Sequence, residues 1–419
     1  MIKLFRNKEF SSGLFKYFKN ASWLLAGQAT SLAASFFVGL FVARNLGPEK
    51  YGILSYALSF SGIFTFISSL GVDGILSREL VKDRKKEEES FILGSSFLLK
   101  VIGSVISLIL CVFSVFCLPD QYGYRKMIFW SFPLVIFQFV NIFSLWFQSR
   151  VGGKWISLAQ IFSVVLLAFV KLILIYSNAP LGWVVLSYSL DISLFGVFSY
   201  FFYIRCGGNI LWRSSKKLCL KILNESWPIM ISSASCVLLF KIDQVMVGQI
   251  MGSVAAGYYA AAIKLSEIWY FFPVLISNSF SPALVNAFKL NIKTYYRRRR
   301  YLYSFLFFSA VFMAVFVSLF SDFLIYFLFG SEFIQSAEIA KIYVWSSVGM
   351  FIGTGMWVSL VVEGKNKIIL KTYSMALFLN IILNFFLIKY NGLTGAAWAS
   401  VISYSTIPIL VYYFGKQKR

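Results

Sequence analysis

A small set of charged side chains stands inside or at the edge of long apolar runs: Lys100, Lys171, Asp191, Lys241, Asp243, Lys264, Glu267 and, at the end of one run, Asp73. The chemistry open to them is electrostatic. A lysine in such a run can stand in for the water that an anion gives up, and a carboxylate can hold a proton or a sodium ion or pair with a lysine. Bond-making chemistry has little to work with. The chain contains no histidine, which removes Ser-His and Cys-His nucleophiles, imidazole-ligated metals and the commonest proton shuttle at neutral pH. Its cysteines, Cys111, Cys117, Cys206, Cys219 and Cys236, are scattered without a CxxC pair and read as inert thiols. There is no GxxxxGK[ST] phosphate loop, so ATP hydrolysis is not expected. No cofactor and no metal site is expected.

Spacing assigns first roles. Lys264 and Glu267 are three apart, share a helix face and can pair with each other. Lys241 and Asp243 are two apart, cannot pair along one helix, and each need a partner elsewhere or water; both lie near the middle of a run and are read as facing a cavity. Lys100 and Lys171 lie toward the ends of their runs, where snorkelling outward is the alternative to a place in the cavity. Asp191 either couples to an ion or pairs with Lys171. With Asp73 set aside as lying at the end of its run, four lysines stand against three acids, which leaves the interior marginally cationic. The expected substrate-binding set is therefore Lys241, Lys264, Lys100 and Lys171, and the expected ion-coupling set is Asp191, Asp243, Glu267 and Asp73. Gln28, Trp146, Tyr270 and Asn278 are polar and aromatic candidates for selectivity, with packing the equal alternative.

The elements that must position these residues follow from composition. The 419 residues are 59% hydrophobic and 13% charged, against roughly 45–50% and about 25% in soluble domains. A water-soluble enzyme is thereby excluded, and 46 Phe with 23 Tyr and 11 Trp exclude disorder. At about 20 apolar residues per crossing, spans fall at 20–43, 51–72, 91–117, 125–148, 155–176 and 181–204, then at 226–250, 256–281, 301–329, 338–361, 367–388 and 394–415. Pro133, Pro228, Pro273 and Pro408 are expected to kink or start helices. The first apolar stretch is too long for a signal peptide's apolar region and is read as a span.

The net charge of +22 would point to nucleic acid if the cations formed one patch on a soluble domain. They do not. With the N-terminus inside, the outer segments hold only Arg44, Lys50, Arg125, Lys126, Lys341 and Lys389, while the inner ones hold clusters such as Lys82 to Lys86, Arg213 to Lys221 and Arg297 to Arg300. This distribution predicts an even number of spans with both termini in the cytoplasm. It also places the basic excess against anionic lipids, so no nucleic-acid partner is expected. The Arg297 to Arg300 run reads as a solvated anchor, a lipid-headgroup or regulatory site being the alternative.

The chain also repeats itself. Gly47-Pro48 through Gly52 to Ala57 recurs 205 residues later as Gly252-Ser253 through Gly257 to Ala262. Gly153-Lys154 recurs as Gly364-Lys365, and Gly182 as Gly395. Because six is even, both halves enter the membrane in the same sense, related by an axis along the membrane normal. The fold expected is an all-α polytopic membrane protein with about 12 transmembrane helices in two pseudo-symmetric six-helix lobes around a central cavity. The lobes are placed at 1–204 and 225–419, with a cytoplasmic linker at 205–224.

Ala43 to Gly52, and the stretch from Gly71-Val72-Asp73 to Arg78-Glu79-Leu80, resemble bacterial polysaccharide flippases of the O-antigen, Wzx type. So do Asp243, Gly257 to Leu265, Pro273, Pro282, Phe329-Gly330 with Phe333, Glu363-Gly364-Lys365 and Gly392 to Ala397. The resemblance implies the multidrug/oligosaccharidyl-lipid/polysaccharide exporter superfamily, and no enzyme. It implies that undecaprenyl-diphosphate-linked oligosaccharide, an O-antigen or similar repeat unit, is moved from the cytoplasmic to the periplasmic leaflet of the bacterial inner membrane by alternating access. Its implied partners are the lipid-linked oligosaccharide, the bilayer, a proton or sodium ion, and polysaccharide polymerase and chain-length proteins. Buried lysines suit that anionic cargo. A drug or organic-cation antiporter would be expected to show an acidic or aromatic cleft. A membrane-embedded glycosyltransferase or polymerase would be expected to carry its catalytic residues on a sizeable external loop. A lipid scramblase or peptidoglycan-precursor flippase differs in cargo rather than in physics.

Overall fold

The computed structural model describes residues 8–82, 86–120 and 122–416, without the side chains of residues 8–18, Ala21 and Lys86. The expected inner cations Lys3, Arg6, Arg84, Lys85, Lys418 and Arg419 lie outside the described residues. Among the described residues the long regular elements are all helices: α1 (Lys8–Ile63), α2 (Thr65–Ser69), α3 (Val72–Leu80), α4 (Lys86–Cys117), α5 (Tyr124–Trp130), α6 (Pro133–Ile136), α7 (Ile142–Ser149), α8 (Gly153–Tyr176), α9 (Leu181–Ser189), α10 (Asp191–Arg205), α11 (Lys216–Met251), α12 (Ser253–Glu267), α13 (Phe271–Leu290), α14 (Ile292–Phe329), α15 (Ser336–Tyr343), α16 (Ser346–Val362) and α17 (Asn366–Lys416). Helix is the form that satisfies every backbone donor and acceptor within one segment, which a lipid surrounding requires.

Among the described residues eight helices are long and apolar enough to cross a membrane. Two of them, Ser22–Ser69 and Asn366–Lys416, are broken by the non-helical glycines Gly47 and Gly392 and supply two crossings each. Two bent pairs, Tyr124–Trp130 with Pro133–Ser149 at 44° and Leu181–Ser189 with Asp191–Arg205 at 40°, are each long and apolar enough together to count as one broken span. Together these give the twelve crossings expected. Pro133 starts a helix at one of the bends, whereas Pro228 sits inside α11 and Pro408 inside the part of α17 beyond Gly392. The outward face of α14 carries Phe305, Phe308, Phe312, Leu319 and Phe323, all at least half exposed. Such a stripe would be a liability in water and is ordinary against lipid.

Two compact units form. The first comprises Met1–Val42 and Phe64–Met230, the second Ala43–Ile63 and Ile231–Arg419. The interval 205–224 thus lies within the first unit, and both α1 and α11 contribute to each. The core of the first unit joins α3, α4, α7, α8 and α10 through Leu76, Ile92, Leu93, Phe143, Trp146, Ala159 and Tyr203. In the second, Leu239, Tyr373 and Tyr404 join α11 to α17, and Tyr295, Leu302, Leu306 and Phe351 join α14 to α16.

The duplicated hairpins meet inside the second unit. Gly47 (φ 71°, ψ 172°) and Gly252 (φ 95°, ψ −177°) break the chain in the same conformation, one open almost only to glycine. Beyond each break the backbone of one hairpin lies on a glycine of the other. A Cβ on Gly52 would stand 1.8 Å from the Ser253 carbonyl oxygen, and a Cβ on Gly257 would stand 2.0 Å from that of Pro48. Pro48 and Ser253 occupy equivalent places in the repeat, so the contact is reciprocal in the manner of a two-fold interface. Tyr56 extends it, donating to Gln249 Oε1 at 2.9 Å.

At the other end of α14, Glu363 accepts from Tyr295 Oη at 2.7 Å and pairs with Arg299 at 2.8 Å and Lys365 at 2.7 Å, tying α14 to the α16–α17 turn. Burial alone would raise the Glu363 carboxyl, but its bonds to Lys365, Tyr295 and Arg299 outweigh burial and hold it below the ordinary carboxylate range.

Two outcomes are expected. Gly52→Ala and Gly257→Ala should each destabilise the protein by about 1–3 kcal/mol through overpacking, read as earlier thermal unfolding in detergent, whereas Gly62→Ala, with open space around it, should not. Because the Glu363 carboxyl is depressed on folding, its stabilisation is present above about pH 4.3 and is lost as pH falls through the lower folded value. The melting difference between wild type and Glu363→Gln should therefore be full at pH 7 and shrink below pH 4.

Candidate functional site

In the first unit each buried lysine has its own carboxylate. Lys100, on α4, is 1% exposed and its Nζ lies 2.5 Å from Asp73 Oδ1. Asp73 stands in the first turn of α3, behind the left-handed Gly71 at its N-terminus, where a negative charge is favoured. Lys171, on α8, is 7% exposed and donates to both Asp191 oxygens, at 3.0 and 2.9 Å. Asp191 opens α10, directly after the bend that divides that span. The Lys171 ammonium also lies 4.0 Å from the Tyr188 ring centroid, a cation–π contact that completes its shell. The bend brings Tyr188, on α9, and Asp191, on α10, to the same lysine.

The second unit is built differently. Asp243, midway along the apolar part of α11, is fully buried. Its Oδ1 accepts from the Gln244 backbone N–H at 2.8 Å, and its Oδ2 accepts from Tyr259 Oη at 2.8 Å and Ser400 Oγ at 3.0 Å. The partners come from α12 and from the part of α17 beyond Gly392. Gln244 in turn donates to the Ala256 carbonyl at 2.9 Å, and Tyr404 to that of Leu239 at 3.0 Å, so α11 is pinned to α12 and α17 on either side of the carboxylate. Glu267, at the end of α12, accepts from Tyr343 Oη at 3.2 Å, and the Tyr343 and Tyr259 rings meet edge to face at 6.0 Å. Lys241 is half-buried, acts electrostatically on both Asp243 and Glu267, and makes no direct ion pair among the described residues. Lys264 is half-buried on α12, one turn before Glu267.

Among the described residues, no three His, Cys, Asp or Glu side chains converge as a metal site. Trp146 and Tyr270 are structural partners here: the first donates to Glu89 at 2.8 Å under the Arg150 guanidinium, and the second bonds Ser346 at 3.0 Å. Gln28 and Asn278 are exposed. Sequence reasoning missed Tyr259, Ser400, Gln244 and Tyr343. Tyr259 carried a signal, since it lies in the duplicated motif; Ser400, 157 residues from Asp243, carried none.

The chain has relatives of known family and fold. A family model of polysaccharide biosynthesis proteins matches residues 17–288. The chain belongs to that family. A second model, MatE, matches residues 228–386. The chain is 24% identical over 270 residues to a Lsg-locus protein of Haemophilus influenzae, covering 60% of this chain and 62% of that one. It is 23% identical over 400 residues to an uncharacterized membrane protein of Methanocaldococcus jannaschii, covering 92% and 94%. A protein of Escherichia coli K12 whose name assigns it, provisionally, to O-antigen transport is 25% identical over 163 residues, 38% of either chain. The chain thus spans under two thirds of the Haemophilus and Escherichia relatives. Among solved structures, an inward-facing multidrug resistance MATE family transporter of the MOP superfamily superposes with a TM-score of 0.75 at 16% identity, over 94% of this chain and 98% of that one. The lipid II flippase MurJ, in an inward closed conformation, superposes with 0.71 at 15% identity, over 94% and 87%. The fold is that of the exporter superfamily expected from the sequence, and the neighbours that share it are transporters and a flippase rather than enzymes.

The paired lysines can be tested directly. Lys171→Met should strand Asp191 and lower stability by about 3 kcal/mol, the lower end for a broken buried pair because Asp191 is partly exposed. Lys171→Met/Asp191→Asn should recover most of the loss in thermal unfolding.

Proposed function

We propose that the protein is a flippase that carries undecaprenyl-diphosphate-linked oligosaccharide, an O-antigen or similar repeat unit, from the cytoplasmic to the periplasmic leaflet of the bacterial inner membrane by alternating access. Membership of the polysaccharide biosynthesis family supports a sugar-lipid cargo. The observation that carries the reading is Lys241: a half-buried cation at span depth that, among the described residues, no carboxylate neutralises directly, unlike Lys100 and Lys171. A charge of that kind costs about 2.5–3.5 kcal/mol at a helix centre and is retained where it meets a ligand or water. Lys241, with Lys264, would receive the diphosphate, while Lys100 and Lys171 hold the first unit together through Asp73 and Asp191.

Transport in this reading is coupled to a proton or sodium ion at Asp243, with Glu267 as the second acid. Asp243 is solvated by hydroxyls that can rotate between donor and acceptor roles, so a change in its charge need not break an ion pair. Both termini face the cytoplasm, and polymerase and chain-length proteins take over the flipped product.

The test is reconstitution into vesicles with a fluorescent lipid-linked oligosaccharide, measuring its arrival in the opposite leaflet with and without an imposed gradient. Lys241→Ala and Lys264→Ala should each slow flipping by roughly tenfold, the loss of about one charge-assisted contact, without lowering expression. Asp243→Asn should remove the response to the gradient. Normal flipping by both lysine variants would sink the cationic-site assignment. A second reading, an organic-cation antiporter, is favoured by one feature: Asp243 and Glu267 stand among Tyr259, Tyr270 and Tyr343, within the MatE match. Gradient-driven uptake of ethidium, abolished in Asp243→Asn, with no oligosaccharide flipping, would establish that reading instead.

A further inference from the structure

The segment between α10 and α11 is fastened to α4 over residues 211–215. Ser90 Oγ donates to the Leu211 carbonyl at 2.9 Å and accepts from the Arg213 backbone N–H at 3.2 Å, and Ser95 Oγ accepts from the Ser215 N–H at 3.1 Å. Gly94 allows the approach: a Cβ there would stand 2.2 Å from the Arg213 carbonyl oxygen. Where this strap turns into α11, a groove of about 400 Å³ opens, lined by Phe91, Ser215, Lys217, Leu218 and Lys221.

Its chemistry is lopsided. Lys217 and Lys221 are four apart and share a face of α11, and neither makes an ion pair among the described residues. No acid lines the groove, and residues 205–221 contain none. Lys216 and Lys217 moreover open α11, at the end of a helix where a cation is disfavoured, and no acid in the first turn compensates them. The floor is apolar, formed by Phe91 and Leu218, and Ile210, Leu211 and Leu220 nearby are all more than half exposed. The position is interfacial: α4 has 32 residues, which makes it about 48 Å long against a hydrocarbon core of roughly 30 Å. Its first turns, which carry the strap, therefore lie at the edge of the lipid.

We propose that this groove binds an anionic phospholipid, with the phosphate between Lys217 and Lys221 and acyl chain against Phe91 and Leu218. Charge complementarity selects the anionic headgroup, and the apolar floor selects a lipid over a free phosphate. A basic pocket between helices at the membrane surface is the chemistry such headgroups recognise. The bound lipid offsets the unfavourable start of α11 and holds the strap on α4. This goes beyond the transport reading and does not depend on it.

The test uses the full-length protein in a neutral detergent, titrated with phosphatidylglycerol and, separately, phosphatidylcholine, and read by native mass spectrometry as the apparent affinity of the first lipid bound. Wild type should prefer phosphatidylglycerol. Lys217→Gln/Lys221→Gln should weaken phosphatidylglycerol binding by roughly tenfold and leave phosphatidylcholine unchanged, since each surface lysine is worth about fivefold or less. Lys217→Arg/Lys221→Arg, which keeps the charge and the fold, should retain it. Undiminished binding by the glutamine pair overturns the proposal. An equal loss in Lys289→Gln/Lys293→Gln overturns it too, since the effect would then be general basicity. So would displacement of phosphatidylglycerol from wild type by millimolar inorganic phosphate, which would make the groove a free-phosphate site.

Discussion

A bilayer core supplies no water, so every charge placed in it must find its solvation within the chain. The two units meet that constraint in different ways, and much of the local architecture follows from the difference. In the first, charge is cancelled by charge. The bend between α9 and α10 has a purpose in that light, since it sets Asp191 at a fresh helix start, within reach of both the Lys171 ammonium and the dipole that favours an anion. The break before α3 does the same for Asp73 and Lys100. In the second unit Asp243 is surrounded by neutral donors instead, drawn from three helices that must pack closely to deliver them.

Close packing in lipid cannot be driven by expelling water, so it rests on small residues that let backbones touch. The duplicated hairpin uses glycine twice over. Gly47 and Gly252 accept a conformation closed to other residues, and Gly52 and Gly257 leave room for the other hairpin's backbone. A motif whose glycine fits the turn of its own duplicate is self-complementary. A single ancestral hairpin with that property supplies both sides of the contact at once, which gives a physical reason for the register of the two copies to agree most closely here.

Most of the fold was legible because its signals are local. Apolar length marks the spans, Pro133 marks a bend, and the Gly47–Gly52 and Gly252–Gly257 pairs mark hairpins. The pairing of Lys171 with Asp191 was one of two readings of neighbouring spans. What was not legible is long-range. Nothing in the spacing of Asp243 indicates that Ser400 will reach it, because a serine one turn beyond Ala396 looks the same whether it bonds its own helix or another; in fact it does both. Nor does the pattern of spans say that α1 and α11 each contribute to both units, since a continuous helix carries no mark where its neighbours change.

The contrast between the units bears on which acid can change charge during a working cycle. Protonating Asp191 would leave the Lys171 ammonium, almost wholly buried, facing a neutral acid and the Tyr188 ring in place of an ion pair. The same proton on Asp243 leaves no charge stranded at contact distance. The Tyr259 and Ser400 hydroxyls can each turn from donor to acceptor, and Ser400 already shares its hydrogen bond with the Ala396 carbonyl. A site whose ligands are neutral and rotatable exchanges an ion at the cost of rearranged hydrogen bonds, whereas one built from ion pairs must break a buried pair to do so. If transport is coupled to an ion as proposed, Asp243 is the acid suited to carry the coupling, and the lysine pairs are suited to hold the shape of the first unit.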